Sequence, residues 1–218
     1  MGVSRTVVIG DVHGCYDELT ELVGRVGLGE SDRLVCVGDL IAKGEKSREV
    51  LELFMSDPRF SSVLGNHDRA ILEYWKGLRK KKELKHSQRK CAKQLKEWRE
   101  RFAAYLDTLP AYIDLGSHVV VHAGLRPGVA LEAQSLDDLT ELRTLGQNRE
   151  SRKGTPWYEV YDGAKVAPFG HWPAPEPRRG PRAIGLDTGC VYGYRLTAYV
   201  VETGEFHSVP ALRAYEEK

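Results

Sequence analysis

Short apolar runs alternate with helical patterns along the first third of the chain. Mostly apolar runs at 6–10, 34–38 and 60–64 are short enough to be buried strands. Between them, at 19–26 and 50–54, apolar residues recur every three or four positions, as they do on one face of a helix. Strands that alternate with helices predict an α/β fold with a largely parallel sheet covered on both faces.

From Arg69 to Leu106 the pattern becomes helical and strongly basic. The stretch 79–90 is mostly cationic, and a broken apolar stripe runs from Leu84 to Tyr105. We predict one or two helices that form a small basic cap, at about 69–106, over the sheet. The length of 218 residues suits one domain, so we interpret residues 1–218 as a single domain that contains this cap as an insertion.

The second half of the chain returns to strands. They are predicted at 119–121, 183–186, 195–201 and 206–209, and the region 126–165 is irregular apart from one short helix around 136–145.

Overall charge and composition exclude several classes of protein. Lys+Arg (32) nearly equal Asp+Glu (31), so any basic surface that attracts nucleic acid must be local. The sequence has no apolar run long enough for a transmembrane helix and no secretory signal, so we expect no membrane association. Four scattered cysteines are typical of reduced thiols, which together with the missing signal predicts a cytoplasmic protein.

Three glycine-flanked motifs follow the first three predicted strands in order. They read Gly10-Asp-Val-His-Gly14, Gly38-Asp-Leu-Ile-Ala-Lys-Gly44 and Gly65-Asn-His-Asp68, and two further histidines follow later strands in the same way. Ligands of open α/β sheets collect at the carboxyl ends of the strands. One such motif alone is usually a plain turn, but five at strand ends indicate a shared site.

The side chains in these motifs form a mixed carboxylate, amide and imidazole set. Such a set suits divalent Mn, Fe, Co or Zn and needs no thiolate. Two metals about 4 Å apart can hold both the attacking and the leaving oxygen of a displacement at phosphorus. The candidate ligands are Asp11, His13, Asp39, Asn66, His122 and His171.

The order of these motifs resembles the calcineurin-like metallophosphoesterase superfamily, from about residue 5 to residue 202. The segments Phe169-Gly-His-Trp172 and Gly185-Leu-Asp-Thr-Gly-Cys190 look like those of symmetrical diadenosine tetraphosphatases and their ApaH-like relatives. The resemblance implies an α/β sandwich of two central mixed sheets flanked by helices, with a small helical cap.

The resemblance also implies two divalent metal ions, with Mn as the first choice and Fe, Co or Zn as alternatives. Asp11 and His13 would bind the first ion and Asp39 would bridge both. The second ion would be completed by Asn66, His122 and His171.

The catalytic roles implied by the family fall on the second and third motifs. His67 would be the general acid that protonates the leaving oxygen, and Asp39 would act through the bridged metals. Lys43, Arg143 and Asn66 are the candidates for holding the phosphate.

The second motif departs from the phosphoprotein phosphatase pattern at two positions. Ala42 replaces the second acid of that pattern and Lys43 replaces its arginine. The acid normally orients the catalytic histidine, so the group that orients His67 is not identified. Asp68 is too near in sequence to be assigned that role. A lysine offers one compact charge where an arginine could bind two phosphate oxygens.

We therefore predict a dinuclear-metal phosphohydrolase that cleaves phosphoanhydrides by attack of a metal-bridging hydroxide. The expected substrates are dinucleoside polyphosphates such as diadenosine tetraphosphate, cut symmetrically to ADP, or related nucleotides and polyphosphates. The alternative is a protein serine/threonine phosphatase of the same superfamily. An RNA-binding role for the basic cap, or an inactive scaffold, is less favoured because all the expected ligands are present.

Overall fold

Two layers of β-structure face each other at the centre of the molecule in the computed structural model, which describes residues 4–217. The strands are β1 (Thr6–Ile9), β2 (Arg33–Cys36), β3 (Phe60–Ser62), β4 (Tyr112–Asp114), β5 (Val119–Val121), β6 (Thr144–Leu145), β7 (Thr155–Pro156), β8 (Ala167–Phe169), β9 (Arg178–Arg179), β10 (Ala183–Gly185), β11 (Arg195–Val200) and β12 (Phe206–Pro210). The α-helices are α1 (Tyr16–Val26), α2 (Ser47–Ser56), α3 (Asn66–Trp75), α4 (His86–Gln94), α5 (Arg99–Leu106), α6 (Leu136–Glu141) and α7 (Trp157–Val160).

The first sheet is mixed and has five strands in the order β12-β11-β1-β2-β3. Its β1, β2 and β3 are parallel, with Val8 opposite Val35, and their carboxyl ends therefore lie along one edge. The strand β11 pairs antiparallel with both β1 and β12. The predicted parallel sheet is thus correct for its first three strands, and a closing hairpin makes the sheet mixed.

The second layer contains β8-β10-β9 and the β4-β5 pair. Val119 N donates to Val166 O at 2.8 Å and Gly170 N donates to His122 O at 2.8 Å, which aligns β5 with β8. Buried apolar side chains fill the space between the two layers because each strand turns alternate residues inward. They include Val8, Val35, Val37, Val63, Val120, Ile184, Leu186 and Tyr199.

The basic insertion contains three α-helices, α3 to α5, where one or two were expected. The helix α3 ends just before Gly77, whose left-handed φ of 77° stops the helix, and the cationic run then leads into α4. Cys91, Leu95 and Phe102 are buried and join the core beneath the first sheet. The insertion therefore packs as part of the same body. In the described part of the chain no helix is both long and apolar enough to cross a membrane.

The candidate metal centre

Five loops at the strand ends bring the predicted ligands together. β1 leads into the loop of Asp11 and His13, β2 into Asp39, β3 into the first turn of α3, β5 into His122 and β8 into His171. The side chains that meet in this buried cluster are Asp11, His13, Asp39, Asn66, His67, His122 and His171.

Asp39 lies at the centre of the cluster. Its Oδ2 is 3.5 Å from His13 Nε2 and 3.6 Å from His122 Nε2, so one oxygen faces both halves of the site. Its Oδ1 accepts a hydrogen bond from His67 N at 2.8 Å, which fixes the orientation of the carboxylate. Burial acts to raise the pKa of Asp39, but the surrounding His122, His67 and His13 lower it overall. The side chain is therefore a carboxylate at neutral pH.

Backbone carbonyls orient two of the imidazoles. His122 Nδ1 lies 2.8 Å from Val37 O and His13 Nδ1 lies 3.2 Å from Ile41 O. A carbonyl can only accept, so each Nδ1 carries the proton and each Nε2 presents a lone pair to Asp39. A hydrogen bond of this kind is typical of metal-binding histidines.

The side-chain oxygen of Asn66 lies beside two imidazole nitrogens. Its Oδ1 is 3.0 Å from His122 Nε2 and 3.0 Å from His171 Nδ1. Because His122 Nε2 carries no proton, its contact with this oxygen is between two acceptors. A cation that binds both atoms would make the contact favourable.

The distances fit divalent cations. Two ligands about 2.1 Å from one metal are about 3.0 Å apart at a right angle and about 3.4 Å apart at the tetrahedral angle. The contacts of 3.0 Å around Asn66 and of 3.5–3.6 Å around Asp39 match these separations. His171 Nε2 is also buried without a hydrogen-bond partner among the described residues.

Lys43 brings a positive charge next to the carboxylates and imidazoles of the cluster. Its Nζ is 2.6 Å from His13 Nε2, so an ammonium stands beside a predicted metal ligand. Burial, together with the Lys43 charge, lowers the pKa of His13 to about 3. Burial, with the nearby Asp187 and Asp39, raises the pKa of Asp11. A neutral imidazole among buried carboxylates is suited to binding a cation.

The chain takes a rare backbone conformation at several of these positions. His13, Asp39, Ala42, Lys43 and His171 all have positive φ, between 49° and 73°. Residues with a Cβ rarely adopt this left-handed region, and they do so mostly at functional sites. The sharp turns point the ligands back over the strand ends.

His67 lies at the cluster without an orienting partner in the described chain. Its Nδ1 is buried and makes no hydrogen bond there. Asp68 does not serve it, because that carboxylate accepts instead from Leu40 N, Ile41 N and Gly65 N at 3.2–3.3 Å. Asp68 therefore ties the second motif to the third. Burial, followed by the Lys43 charge, lowers the pKa of His67 well below its ordinary value.

Lys43 and Arg143 line one cavity of about 280 Å³ with the predicted ligands. Arg143 is half-buried, and its guanidinium donates to Glu150 O at 3.2 Å and approaches His171 O at 3.5 Å. Asp187 also lines the cavity while accepting from Gly189 N at 3.1 Å.

Several other residues of this cavity belong to no sequence motif, because only the tertiary fold brings them to its wall. They are Lys85, His86, Ser87, Arg152, Tyr192, Glu216 and Glu217.

Known proteins that resemble this chain match it over nearly its whole length. Residues 4–201 match the family model of calcineurin-like phosphoesterases. The chain is 32% identical to the asymmetrical bis(5'-nucleosyl)-tetraphosphatase PrpE of Bacillus subtilis, over 96% of each chain. It is 30% identical to a symmetrical bis(5'-nucleosyl)-tetraphosphatase of Coxiella burnetii, over 96% of this chain and 93% of that one.

Among solved structures, one described as a "putative diadenosine tetraphosphatase" superposes with a TM-score of 0.81 at 33% identity. The superposition covers 95% of this chain and 94% of the chain in that structure. A two-layer fold, candidate ligands at five strand ends and a family match across the chain lead to one assignment: this protein belongs to the calcineurin-like phosphoesterase family and is a metal-dependent hydrolase.

Proposed function

We propose that the protein hydrolyses the phosphoanhydride of dinucleoside polyphosphates such as diadenosine tetraphosphate. One observation carries the proposal: a single carboxylate oxygen, Asp39 Oδ2, lies 3.5 Å and 3.6 Å from two imidazole nitrogens. This arrangement suits two cations that share one ligand. The substrate class is supported by relatives named bis(5'-nucleosyl)-tetraphosphatases, which align over almost their whole length.

The chemistry that two divalent cations supply is a lower pKa for coordinated water and compensation of the phosphate charge. We propose that Asp11 and His13 hold one cation, that Asn66, His122 and His171 hold the other, and that Asp39 binds both. Manganese is the proposed metal, because carboxylate, amide and imidazole donors suit it and no thiolate takes part.

The residues around these ligands would handle the substrate. Lys43 and Arg143 share the cavity with the ligands, and their charges would hold the non-bridging oxygens of a phosphate chain. The neutral imidazole of His67, close to Asp39, would pass its ring proton to the leaving oxygen and recover one from the attacking water.

The position of the cut is proposed to be symmetrical, which gives two ADP molecules. The motif with Asp187 and Cys190 supports this choice. The relatives include enzymes named for both modes of cleavage, so the products distinguish them. A cytoplasmic setting is also proposed, because all four cysteines are buried free thiols.

The test is an assay of metal-stripped protein reconstituted with Mn(II), against diadenosine tetraphosphate, a phosphoserine peptide and inorganic polyphosphate. Asp39→Asn serves as the blank, because an amide of the same shape removes the shared anionic ligand. The expected result is release of ADP alone by the wild type and none by the variant.

Each other outcome has a definite meaning. ATP and AMP as products would show asymmetrical cleavage and overturn the proposal of symmetrical cleavage. Peptide dephosphorylation with an intact dinucleotide would move the protein to the phosphoprotein phosphatases. Equal activity of the wild type and Asp39→Asn would contradict the role proposed for Asp39.

A further inference from the structure

A second cavity, of about 740 Å³, lies on the basic insertion next to the metal centre. We call it the basic groove. His86, the first residue of α4, lines both cavities, and its neighbours Lys85 and Ser87 line the metal-centre cavity. The start of α4 therefore lies between the two cavities, and His86 belongs to the wall of both.

The basic groove is lined by cations and by no acidic residue of the described chain. Five of its six lysine and arginine side chains have no ion-pair partner among residues 4–217, and the sixth, Arg99, only approaches Glu100 at 3.9 Å. The six are Lys81, Arg89, Lys90, Lys93, Lys96 and Arg99.

Some other cations of the same insertion are paired with acids. Lys76 contacts Asp107 at 2.8 Å and Arg79 contacts Glu73 at 2.8 Å. The six cations of the groove line one concave surface, whereas a solvated helix face would be convex. A cleft of one charge sign focuses the field and concentrates ligands of the opposite sign.

The floor and one wall of the basic groove are apolar or aromatic. Leu84 and Ala92 are buried there, and Tyr74 and Trp75 are partly exposed. Neither aromatic ring stacks on another ring or on a cation among the described residues, whereas Trp98 nearby is covered by Arg48 at 4.2 Å. Aromatic side chains among cations favour a ligand with both a flat base and phosphates.

Size separates the roles of the two cavities. Small-molecule sites usually enclose ~300–1,000 Å³, and the metal-centre cavity of about 280 Å³ is just below that range. A dinucleoside polyphosphate has two nucleosides joined by a phosphate chain. The metal-centre cavity has room for the reacting phosphates, and the remainder of the substrate needs a second cavity.

We infer that the basic groove binds the nucleotide half of the substrate that extends away from the metal centre. The lysines and arginines pair with its phosphates, and Tyr74 and Trp75 contact its base. The inference rests on the proposed function, since it assigns the second half of the same substrate.

The test neutralises three exposed lysines of the basic groove together, Lys90→Gln, Lys93→Gln and Lys96→Gln. The matched control neutralises three cations of the same insertion outside the groove, Lys76→Gln, Lys82→Gln and Arg101→Gln. Both triple variants lose the same net charge, so a general electrostatic effect would appear in both. Diadenosine tetraphosphate measures the whole substrate, and p-nitrophenyl phosphate measures the metal centre alone.

The groove variant is expected to lose about tenfold or more in kcat/KM for diadenosine tetraphosphate, mainly through a higher KM, because three charge pairs are lost. Its kcat/KM should also depend less on salt than that of the wild type. Its activity on p-nitrophenyl phosphate, and both activities of the control variant, should stay within about twofold of the wild type.

Equal losses in the groove and control variants, or no loss in either, would overturn the inference while leaving the proposed function intact. A wild-type protein that hydrolyses p-nitrophenyl phosphate but no dinucleotide would overturn the proposed function and this inference with it. Trp75→Leu separates base contact from charge: it should weaken hydrolysis of diadenosine tetraphosphate and leave hydrolysis of p-nitrophenyl phosphate unchanged, and equal losses on both would contradict the contact with the base.

Discussion

At the scale of single residues, the cluster around Asp39 depends on placement within a few tenths of an ångström. The hydrogen bonds that His122 Nδ1 and His13 Nδ1 donate to Val37 O and Ile41 O decide which ring nitrogen faces the carboxylate. His67 differs from these histidines, because no partner in the described chain fixes its ring. The role of His67 is therefore tested more directly by kinetics with different leaving groups than by the orientation of its ring.

Replacing His67 by glutamine should slow hydrolysis of phenyl phosphate by ~10²–10⁴, the usual contribution of a general acid. The loss on p-nitrophenyl phosphate should be much smaller, because p-nitrophenolate is a weak base that leaves without a proton. The measurement is kcat/KM for both esters at one pH. Equal losses would contradict the role of proton donor. Equal losses with reduced metal content would make His67 a ligand, since its ring also lies close to His13 and Asp39.

Because Gly170 has no side chain, the Asp11 carboxylate can occupy the space next to it. A Cβ at this position would overlap Asp11 Oδ1 and lie 2.6 Å from Val37 Cγ2. Gly170→Ala should therefore displace a metal ligand without removing it, and a shift of about 1 Å costs ~10²-fold in rate. The measurement is kcat together with the manganese content of the protein.

Gly24→Ala is the matched control for that substitution. A Cβ on Gly24, within α1, meets nothing within 4 Å, so activity should be unchanged. The free energy of unfolding should rise by about 0.5–1 kcal/mol, because alanine favours a helix. Full activity and metal content in Gly170→Ala would show that the site tolerates the shift.

At the scale of elements, side chains join the first sheet where its strands begin. Arg5 precedes β1 and Asp32 precedes β2, and they form two side-chain hydrogen bonds, of 2.6 Å and 3.0 Å. Asp32 also accepts from Arg5 N at 2.8 Å and from Gly29 N at 2.9 Å. These bonds, with the Arg5 side chain the largest cause, lower the pKa of Asp32 to about 2.

This carboxylate should make stability depend on acid pH. A pKa that is lower in the folded than in the unfolded chain stabilises the fold above about pH 4, and that contribution is lost as the pH falls through about 2. Asp32→Asn should lower the free energy of unfolding by about 1–2 kcal/mol at pH 7, allowing for the partial exposure of Arg5.

The difference between the wild type and Asp32→Asn should shrink between about pH 4 and pH 2, as urea unfolding at several pH values would measure. Asp107→Asn, which removes the exposed ion pair with Lys76, is the control and should change stability less. A difference that stays constant with pH would mean that the lost packing, and not the charge, is responsible.

The elements that the sequence predicted best are those whose signal is local. The strands near 6–10, 34–38 and 119–121 are confirmed, because unbroken apolar runs bounded by glycine specify them. The two-residue strands β6 and β7 carry no periodicity, and the region 126–165 was therefore interpreted as irregular. The helix predicted around 136–145 ends already at Glu141.

The residues of the candidate site were also predictable from the sequence only where their signal is local. Asp11, Asp39 and His122 could be found because each closely follows its own strand. The strands before Asp11 and Asp39 are parallel neighbours that end at one edge, and His122 comes to that edge from the second layer. Tyr192 and Lys85 could not, since each reaches the cavity only through packing between distant segments. The contacts of Asp68 with Leu40 N and Ile41 N were likewise invisible in a linear motif.

At the scale of the whole molecule, the metal centre joins the two sheets. Asp11 and Asp39 follow strands of the first sheet, while His122 and His171 follow strands of the second layer. Cations bound by all four would link the layers at one edge. Metal binding should therefore stabilise the entire fold.

Removal of metal should lower Tm, and Mn(II) at 100 times its Kd should restore about 2.7 kcal/mol for each site. For a chain of this size that free energy corresponds to roughly 5–10 °C. Asp39→Asn should show a much smaller response, because the ligand common to both sites has lost its charge. Thermal scans with and without chelator measure this. An unchanged Tm in the wild type would contradict metal binding by the folded protein.

The left-handed backbone at His13, Asp39 and His171 bears on how such an enzyme could lose its activity over generations. These residues have φ of 49°, 54° and 68°, and each costs about 1 kcal/mol or more that glycine would not. A lineage released from selection for hydrolysis would gain stability by accepting glycine at these positions. Decay of the enzyme would then begin at its ligands and leave the sheets intact. A relative with glycine in place of His13, Asp39 or His171 should accordingly be a more stable protein that no longer hydrolyses phosphates.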